Sequence, residues 1–217
     1  LSVLFKVPQK QEPHLSFGTA VHKALELFHK HLINNKEVPQ KETLIKQFEE
    51  ALKAETMTEN DFRLWLAKGE KILSAYYDYY QGEFLPALAT EKYFGRGSYT
   101  RIILDDIPLT GKIDRIDVID SQSRSVRVVD YKTGAPKTRG EIEGTTKTAN
   151  GEYKRQLVFY QLMTDLDEQF KEKVVETELD FIEPERNGKF RKEKFNISVE
   201  EVEELKETIR HSMKEIR

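Results

Sequence analysis

A carboxylate and an ammonium group lie two residues apart at the end of the apolar run Val126-Arg-Val-Val-Asp-Tyr-Lys132. The run predicts a strand, in which side chains alternate between the two faces. Asp130 and Lys132 therefore share one face, and Tyr131 points to the other. Because the preceding residues are apolar enough to be buried, the two charges need polar partners. The pair predicts a site, although an exposed strand end followed by a turn would have the same sequence.

A second predicted strand, Thr110-Gly-Lys-Ile-Asp-Arg-Ile-Asp117, supplies further carboxylates. Asp114 and Asp117 are three residues apart, on opposite faces of a regular strand, so only one of them can reach the site directly. We expect it to be Asp114, nearer the start of the strand, although the pleat by itself does not decide between them. Two carboxylates and a lysine predict a divalent metal ion beside a fixed cation. Phosphodiester hydrolysis uses such a set, because the metal lowers the pKa of a water and the cation stabilises negative charge.

Gln156 and Tyr160 lie four residues apart on the strongest predicted helix, residues 153 to about 170, and so share a helix face. A glutamine and a phenol on one face can orient a phosphate, a water or a nucleobase. The same spacing is also typical of an ordinary helix rim.

His22 lies among apolar residues of the first predicted helix, where it is either a semi-buried histidine or a ligand. Glu26 and His29 fall on the same side of that helix, which leaves a zinc site as an alternative. Three ligands from one straight helix converge poorly, and the spacing is not that of His-Glu-x-x-His. Glu91, on its own predicted strand, is either a further carboxylate of the site or an exposed residue.

The segment from Tyr131 to Arg155 has a local excess of positive charge, with six basic residues against three acidic ones. With Tyr131 and Tyr153 available for base stacking, this patch could hold a nucleic-acid strand. A solvated charged loop is the ordinary alternative. The basic residues are Lys132, Lys137, Arg139, Lys147, Lys154 and Arg155, and the acidic residues are Glu141, Glu143 and Glu152.

Composition limits the possible classes of protein. The 217 residues are 38% hydrophobic and 34% charged, with a net charge of -3, so a nucleic-acid contact requires a local patch. The absence of cysteine excludes disulfides, thiolate zinc sites, iron–sulfur clusters and cysteine nucleophiles. No apolar run approaches the roughly 20 residues of a membrane span, and residues 1–6 are too short for a signal peptide. We therefore expect a soluble, intracellular, cytoplasmic protein with no membrane partner. Because the sequence does not begin with Met, we also expect a domain excised from a longer chain.

The order of predicted elements indicates an α/β fold. Helices are predicted for the first third, with Ser16 capping the first, followed by residues 41–53 and 59 to about 80. Strands are predicted at 90–94, 101–107, 111–119 and 125–132, followed by a mobile loop at 134–151, the helix at 153–170, a hairpin of 174–182 and 189–197, and a helix from 199. This order predicts a mixed central sheet flanked by helices. The chain has no phosphate loop, dinucleotide motif or hydrolase elbow.

Four segments in this order resemble the RecB-like branch of the PD-(D/E)XK nucleases, over about two thirds of the chain. They are Gly18-Thr-Ala-Val-His22, Gly111-Lys-Ile-Asp114-Arg-Ile-Asp117, Asp130-Tyr-Lys132-Thr-Gly and Gln156-Leu-Val-Phe-Tyr160. The stretch Leu15 to His22 further resembles the nuclease domain at the C-terminus of UvrD/Rep-type helicases. The cysteines that hold an iron–sulfur cluster in some relatives are absent, so no cluster is expected.

The resemblance implies a restriction-endonuclease-like fold and a role for each matched residue. His22, Asp114, Asp130 and the main-chain carbonyl of Tyr131 would bind Mg²⁺ or Mn²⁺. Lys132 would stabilise developing charge, and Gln156 and Tyr160 would position the DNA strand.

We therefore expect one nuclease domain over residues 1–217, with a helical part at 14–82, a catalytic core at 88–197 and a C-terminal helix at 199–217. The expected activity is cleavage of DNA, single-stranded or with free ends, as an exonuclease in repair or recombination, beside helicase domains in the same chain or a partner. The alternative is a noncatalytic module that guides a DNA strand for a helicase.

Overall fold

The computed structural model describes residues 12–95 and 101–216. Three helices come first: α1 (Pro13–Asn35), α2 (Lys41–Lys53) and α3 (Glu59–Tyr79). The strands β1 (Ala87–Phe94), β2 (Ile102–Leu104), β3 (Ile107–Leu109), β4 (Gly111–Asp120) and β5 (Ser125–Lys132) follow. The chain then forms α4 (Arg139–Glu143), α5 (Glu152–Leu166), β6 (Lys173–Phe181), β7 (Arg191–Phe195) and α6 (Val199–Ile216).

The central sheet has five strands in the order β1-β4-β5-β6-β7. Among these five described strands, β5 and β6 pair in parallel and the other neighbours are antiparallel; α5 lies in the connection between β5 and β6, as a parallel crossover requires. The predicted mixed sheet flanked by helices, with a helical N-terminal third, is confirmed.

Alternation along β5 separates two hydrophobic cores. Val126 and Val128 belong to the core that includes α5 and α6, whereas Val129 and Tyr131 belong to the core under α1, α2 and α3. Because β5 is buried on both sides, charged residues near its end lie in a restricted, weakly solvated space.

Two predicted boundaries are wrong at the helices. Ser16 does not cap α1: the helix begins at Pro13, whose fixed φ suits the first helical position, and Ser16 is buried inside it. The helix predicted to reach residue 170 ends at Leu166, because Asp167 leaves the helical conformation and its carboxylate accepts a hydrogen bond from the Gln169 N–H.

The strand predicted at 101–107 is instead a hairpin of β2 and β3. Leu104 pairs with Ile107, so the chain reverses over Asp105 and Asp106, and Asp105 has the positive φ of 57° that tight hairpin turns use.

The segment 134–151, predicted to lack regular structure, contains α4. Thr138 and Glu141 form a capping box at its start, and Gly144 ends it in the left-handed conformation. The spacing Thr-x-x-Glu is a signal that the sequence carried. The predictions about residues 1–6 lie outside the described residues.

Candidate active site

Asp114 lies where three strands bring carboxylates together. In β1–β4 the pairs on either side of it are Thr90 with Arg115 and Lys92 with Ile113, so the register places Glu91 opposite Asp114. In β4–β5 the last pair is Arg115 with Val129, which makes Asp130 its neighbour on the other side. Asp114 Oδ2 accepts a hydrogen bond from the Tyr131 N–H at 2.8 Å. The Asp114 side chain thus accepts the main-chain hydrogen bond that a regular continuation of the β4–β5 pairing would give to a carbonyl of β4.

His22 reaches this point from α1. Its Nδ1 lies 3.4 Å from Asp114 Oδ1, and its ring meets the Tyr131 ring edge-on. Burial opposes protonation of the imidazole, but the carboxylates of Asp114, Asp130 and Glu91 outweigh it and raise the pKa of His22 above its usual 6.5. Such a concentration of negative charge suits a cation.

Glu91, which the sequence left undecided, faces the same space. Ligand atoms of His22, Glu91 and Asp114 lie within 4.8 Å of one another. Glu91 has a φ of 49°, an uncommon backbone conformation for a residue other than glycine, and its carboxylate forms an ion pair with Lys112. Burial lowers the pKa of Lys112, but the Glu91 carboxylate outweighs it and raises that pKa above its usual value. The Lys112 ammonium is therefore the counter-ion of Glu91.

Asp130 and Lys132 share one strand face, as predicted, and belong to a closed ring of polar side chains. Lys132 Nζ lies 2.7 Å from Asp130 Oδ2 and donates to Gln156 Oε1 at 2.6 Å. Gln156 Nε2 donates to the Tyr160 hydroxyl, which donates to Asp130 Oδ1, both at 2.7 Å. Gln156 and Tyr160 were predicted to position DNA, and in the structure they hold Asp130 and Lys132.

The ring leaves Asp130 in an environment that opposes its charge. Burial and the nearby Asp114 carboxylate raise the pKa of Asp130, although Lys132 and Tyr160 act in the opposite direction. Lys132 Nζ also lies 4.4 Å from the centre of the Tyr153 ring, a contact that spacing along the chain does not indicate.

Asp117 points away from the site, as the pleat predicts. Its carboxylate is buried and pairs with Arg115 through both oxygens, at 2.8 and 3.0 Å. The zinc alternative is not supported, because His29 Nε2 contacts Arg115 and Glu26 pairs with Lys23 and Lys30.

The predicted nucleic-acid-binding residues have different partners in the structure. Lys137 Nζ lies 3.9 Å from the centre of the Tyr153 ring and thus beside Lys132. Arg139 and Lys154 instead lie over the Phe195 ring, and each also pairs with glutamate. Arg155 donates to the Asn150 carbonyl, and Lys147 is exposed.

The donor set fits a hard divalent cation. One imidazole and two carboxylates, from α1, β1 and β4, have ligand atoms within 4.8 Å of one another, and oxygen-rich sets of this kind suit Mg²⁺ or Mn²⁺. A cavity of about 510 Å³ opens beside it, lined partly by Gly18, Thr19 and Lys23 of α1. The site is therefore open to a substrate on one side.

A family model described as the PD-(D/E)XK nuclease superfamily matches residues 1–217. The chain belongs to the PD-(D/E)XK nuclease superfamily. The segment Asp130-Tyr131-Lys132 has the (D/E)-X-K form of that description, and Asp114 precedes it on the neighbouring strand. The sheet and its flanking helices are consistent with the restriction-endonuclease-like fold.

Membership of this superfamily indicates a nuclease that uses divalent metal and acts on DNA. A search of curated proteins found no match to the chain. Among the residues that the structure describes, no helix has the length and apolar character needed to cross a membrane.

Proposed function

We propose that the chain is a Mg²⁺- or Mn²⁺-dependent deoxyribonuclease that hydrolyses phosphodiester bonds. One observation carries the proposal: the cluster of His22, Glu91 and Asp114 adjoins the ring that holds Asp130 and Lys132. Candidate metal ligands and a fixed cation are thus close together, which supports metal-assisted phosphodiester hydrolysis.

Each residue has a definite role in this proposal. His22, Asp114 and Asp130 would hold the ion, with the Tyr131 carbonyl and Glu91 as further ligands. When bound, the ion would act as a Lewis acid that offsets the charge of the phosphate and lowers the pKa of a water molecule. Lys132 places its ammonium against the attacked phosphate, and its bonds to Gln156 and Asp130 keep the long side chain in one orientation.

The order of the four motifs supports a narrower assignment to the RecB-like branch, and with it a helicase-associated exonuclease of DNA repair or recombination. DNA that is single-stranded or has free ends is the proposed substrate. Lys137, beside Tyr153, is the predicted basic residue best placed to contact it. The chain acts as one domain inside the cell, without an iron–sulfur cluster.

The test is digestion of end-labelled single- and double-stranded DNA by the parent protein with Mg²⁺, with Mn²⁺ and with EDTA. We expect cleavage that requires metal and is lost in Asp114→Asn and Asp130→Asn, together with weaker metal binding. Melting curves control for folding. A parent protein that binds DNA but cuts it with neither metal would favour the noncatalytic strand-guiding module.

A further inference from the structure

Arg115, the residue next to Asp114, is buried and makes contacts in three directions. Its Nε and Nη2 donate to the two Asp117 oxygens. Its Nη1 contacts His29 Nε2 at 3.0 Å and donates to the Tyr131 hydroxyl. A planar guanidinium can make all these contacts at once, whereas a lysine cannot.

The partners of Arg115 lie on the elements that carry the proposed ligands. His29 follows His22 by seven residues on α1, nearly two helical turns, and therefore lies on the same side of the helix. Tyr131 donates its N–H to Asp114 Oδ2 from β5. Arg115 itself is on β4. One side chain thus connects α1, β4 and β5 directly behind the site.

We infer that Arg115 is a positioning residue that sets the geometry of the metal site by fixing α1 and β5 against β4. It touches neither the site cavity nor the proposed ligand atoms, and it acts through His29 and Tyr131. The inference rests on the proposed metal site and deepens it.

Two variants separate positioning from general stability. Arg115→Met removes every polar contact of the guanidinium while keeping much of its volume. Arg127→Met is the matched control, because Arg127 is also mostly buried on the sheet and forms its ion pairs with Glu176 and Glu178 on β6. Both variants leave a carboxylate without its arginine, so both should lower the free energy of unfolding.

Calorimetric Mn²⁺ binding and hydrogen exchange of the Tyr131 amide are the measurements. In Arg115→Met we expect Mn²⁺ affinity to fall by about 10- to 100-fold, the usual effect of removing a group that orients ligands. The Tyr131 amide should also exchange faster. Arg127→Met should remain close to the parent protein in both measurements despite its lower stability.

Tyr131→Phe provides a milder variant in case Arg115→Met does not fold. It removes one acceptor of Arg115 but keeps the main-chain N–H, so a smaller loss of Mn²⁺ affinity is expected. Unchanged affinity and amide exchange in the foldable variants would overturn the inference. A parent protein that binds Mn²⁺ without cutting DNA would contradict the nuclease proposal alone, whereas one that binds no Mn²⁺ would overturn both.

Discussion

At the scale of the residue, the charge of Lys132 is tolerated at the end of a buried strand because three kinds of partner surround it. Asp130 neutralises it, Gln156 accepts its hydrogen bond, and the Tyr153 ring covers it. The same contacts restrict its conformations, so little entropy is left to lose when a phosphate arrives.

We predict that Lys132→Ala abolishes most cleavage while retaining the fold and most DNA affinity. An ammonium that meets charge developing in the transition state affects turnover more than binding, and losing such a group costs on the order of 10²–10³ in rate. Single-turnover cleavage and DNA binding by anisotropy measure the two effects. Lys46→Ala, an exposed lysine on α2, is the control for loss of charge. Full activity in Lys132→Ala would exclude the mechanism.

A second residue prediction concerns His29, which is buried against Arg115. Burial and the adjacent Arg115 charge hold the pKa of His29 well below its usual 6.5. The unfolded chain therefore binds a proton at a pH where the folded chain does not, and stability falls as pH drops below about 6.5.

His29→Gln should remove this contribution, because glutamine offers Arg115 an acceptor without titrating. The free energy of unfolding of the variant should depend less steeply on pH between 7 and 5, by up to about 1.4 kcal/mol per pH unit. Urea unfolding of parent and variant across that range gives the difference. Parallel curves would contradict the assignment of a neutral His29.

At the scale of the element, two glycines set how closely α1 and α3 approach the elements beside them. A Cβ on Gly18 of α1 would lie 3.1 Å from Thr133 Oγ1, just after β5, so glycine lets α1 approach the site. A Cβ on Gly69 of α3 would lie 2.1 Å from Phe48 Cζ of α2, well inside van der Waals contact.

We predict that Gly69→Ala destabilises the protein. Alanine favours a helix by about 1 kcal/mol over glycine, but forcing a methyl group into the Phe48 ring costs typically 1–3 kcal/mol. Urea unfolding should therefore show a net loss, partly restored by adding Phe48→Leu. Gly134→Ala is the control, because its Cβ would meet nothing within 4 Å. A stabilised Gly69→Ala would show that α2 and α3 pack less tightly.

The segment 134–151 gives a prediction about DNA. It contains a short helix with a capping box, and Lys137 reaches the Tyr153 ring beside Lys132. We expect its amides to become protected from hydrogen exchange when a single-stranded oligonucleotide binds in Ca²⁺, which should support binding without cleavage. The amides of α2 serve as the internal reference. Equal protection with and without DNA would remove the segment from the binding surface.

At the scale of the whole molecule, the proposed ligands join parts that are distant in sequence. His22 comes from the helical third, Glu91 from the edge strand β1, and Asp114 from β4. An ion bound by all three would therefore stabilise the native state as a unit, because the unfolded chain cannot bring them together.

We predict that Mn²⁺ raises the Tm of the protein. At 100 times the dissociation constant the ion contributes about 2.7 kcal/mol, which corresponds to roughly 5–10 °C for a domain of this size. Differential scanning calorimetry with Mn²⁺ and with EDTA measures the shift. Asp114→Asn should lose most of it, and Asp78→Asn, an exposed residue of α3, should keep it. A shift retained in Asp114→Asn would place the ion elsewhere.

The sequence by itself determined the features that depend on local spacing. The alternation of β5 placed Asp130 and Lys132 on one face, and the three-residue spacing on β4 separated Asp114 from Asp117. The helix at 41–53 and the strand at 125–132 coincide with α2 and β5. These results follow from the fixed periodicity of strands and helices, which can be read from the spacing of neighbouring residues.

Only the tertiary structure decided which distant residues meet. It placed Glu91 in the cluster, turned Gln156 and Tyr160 toward Asp130, and made Arg115 the connection between α1 and β5. It also placed Lys137 against the Tyr153 ring but Arg139 against the Phe195 ring. Spacing along the chain fixes the direction of a side chain within its own element, but the partner it reaches depends on how separate elements pack.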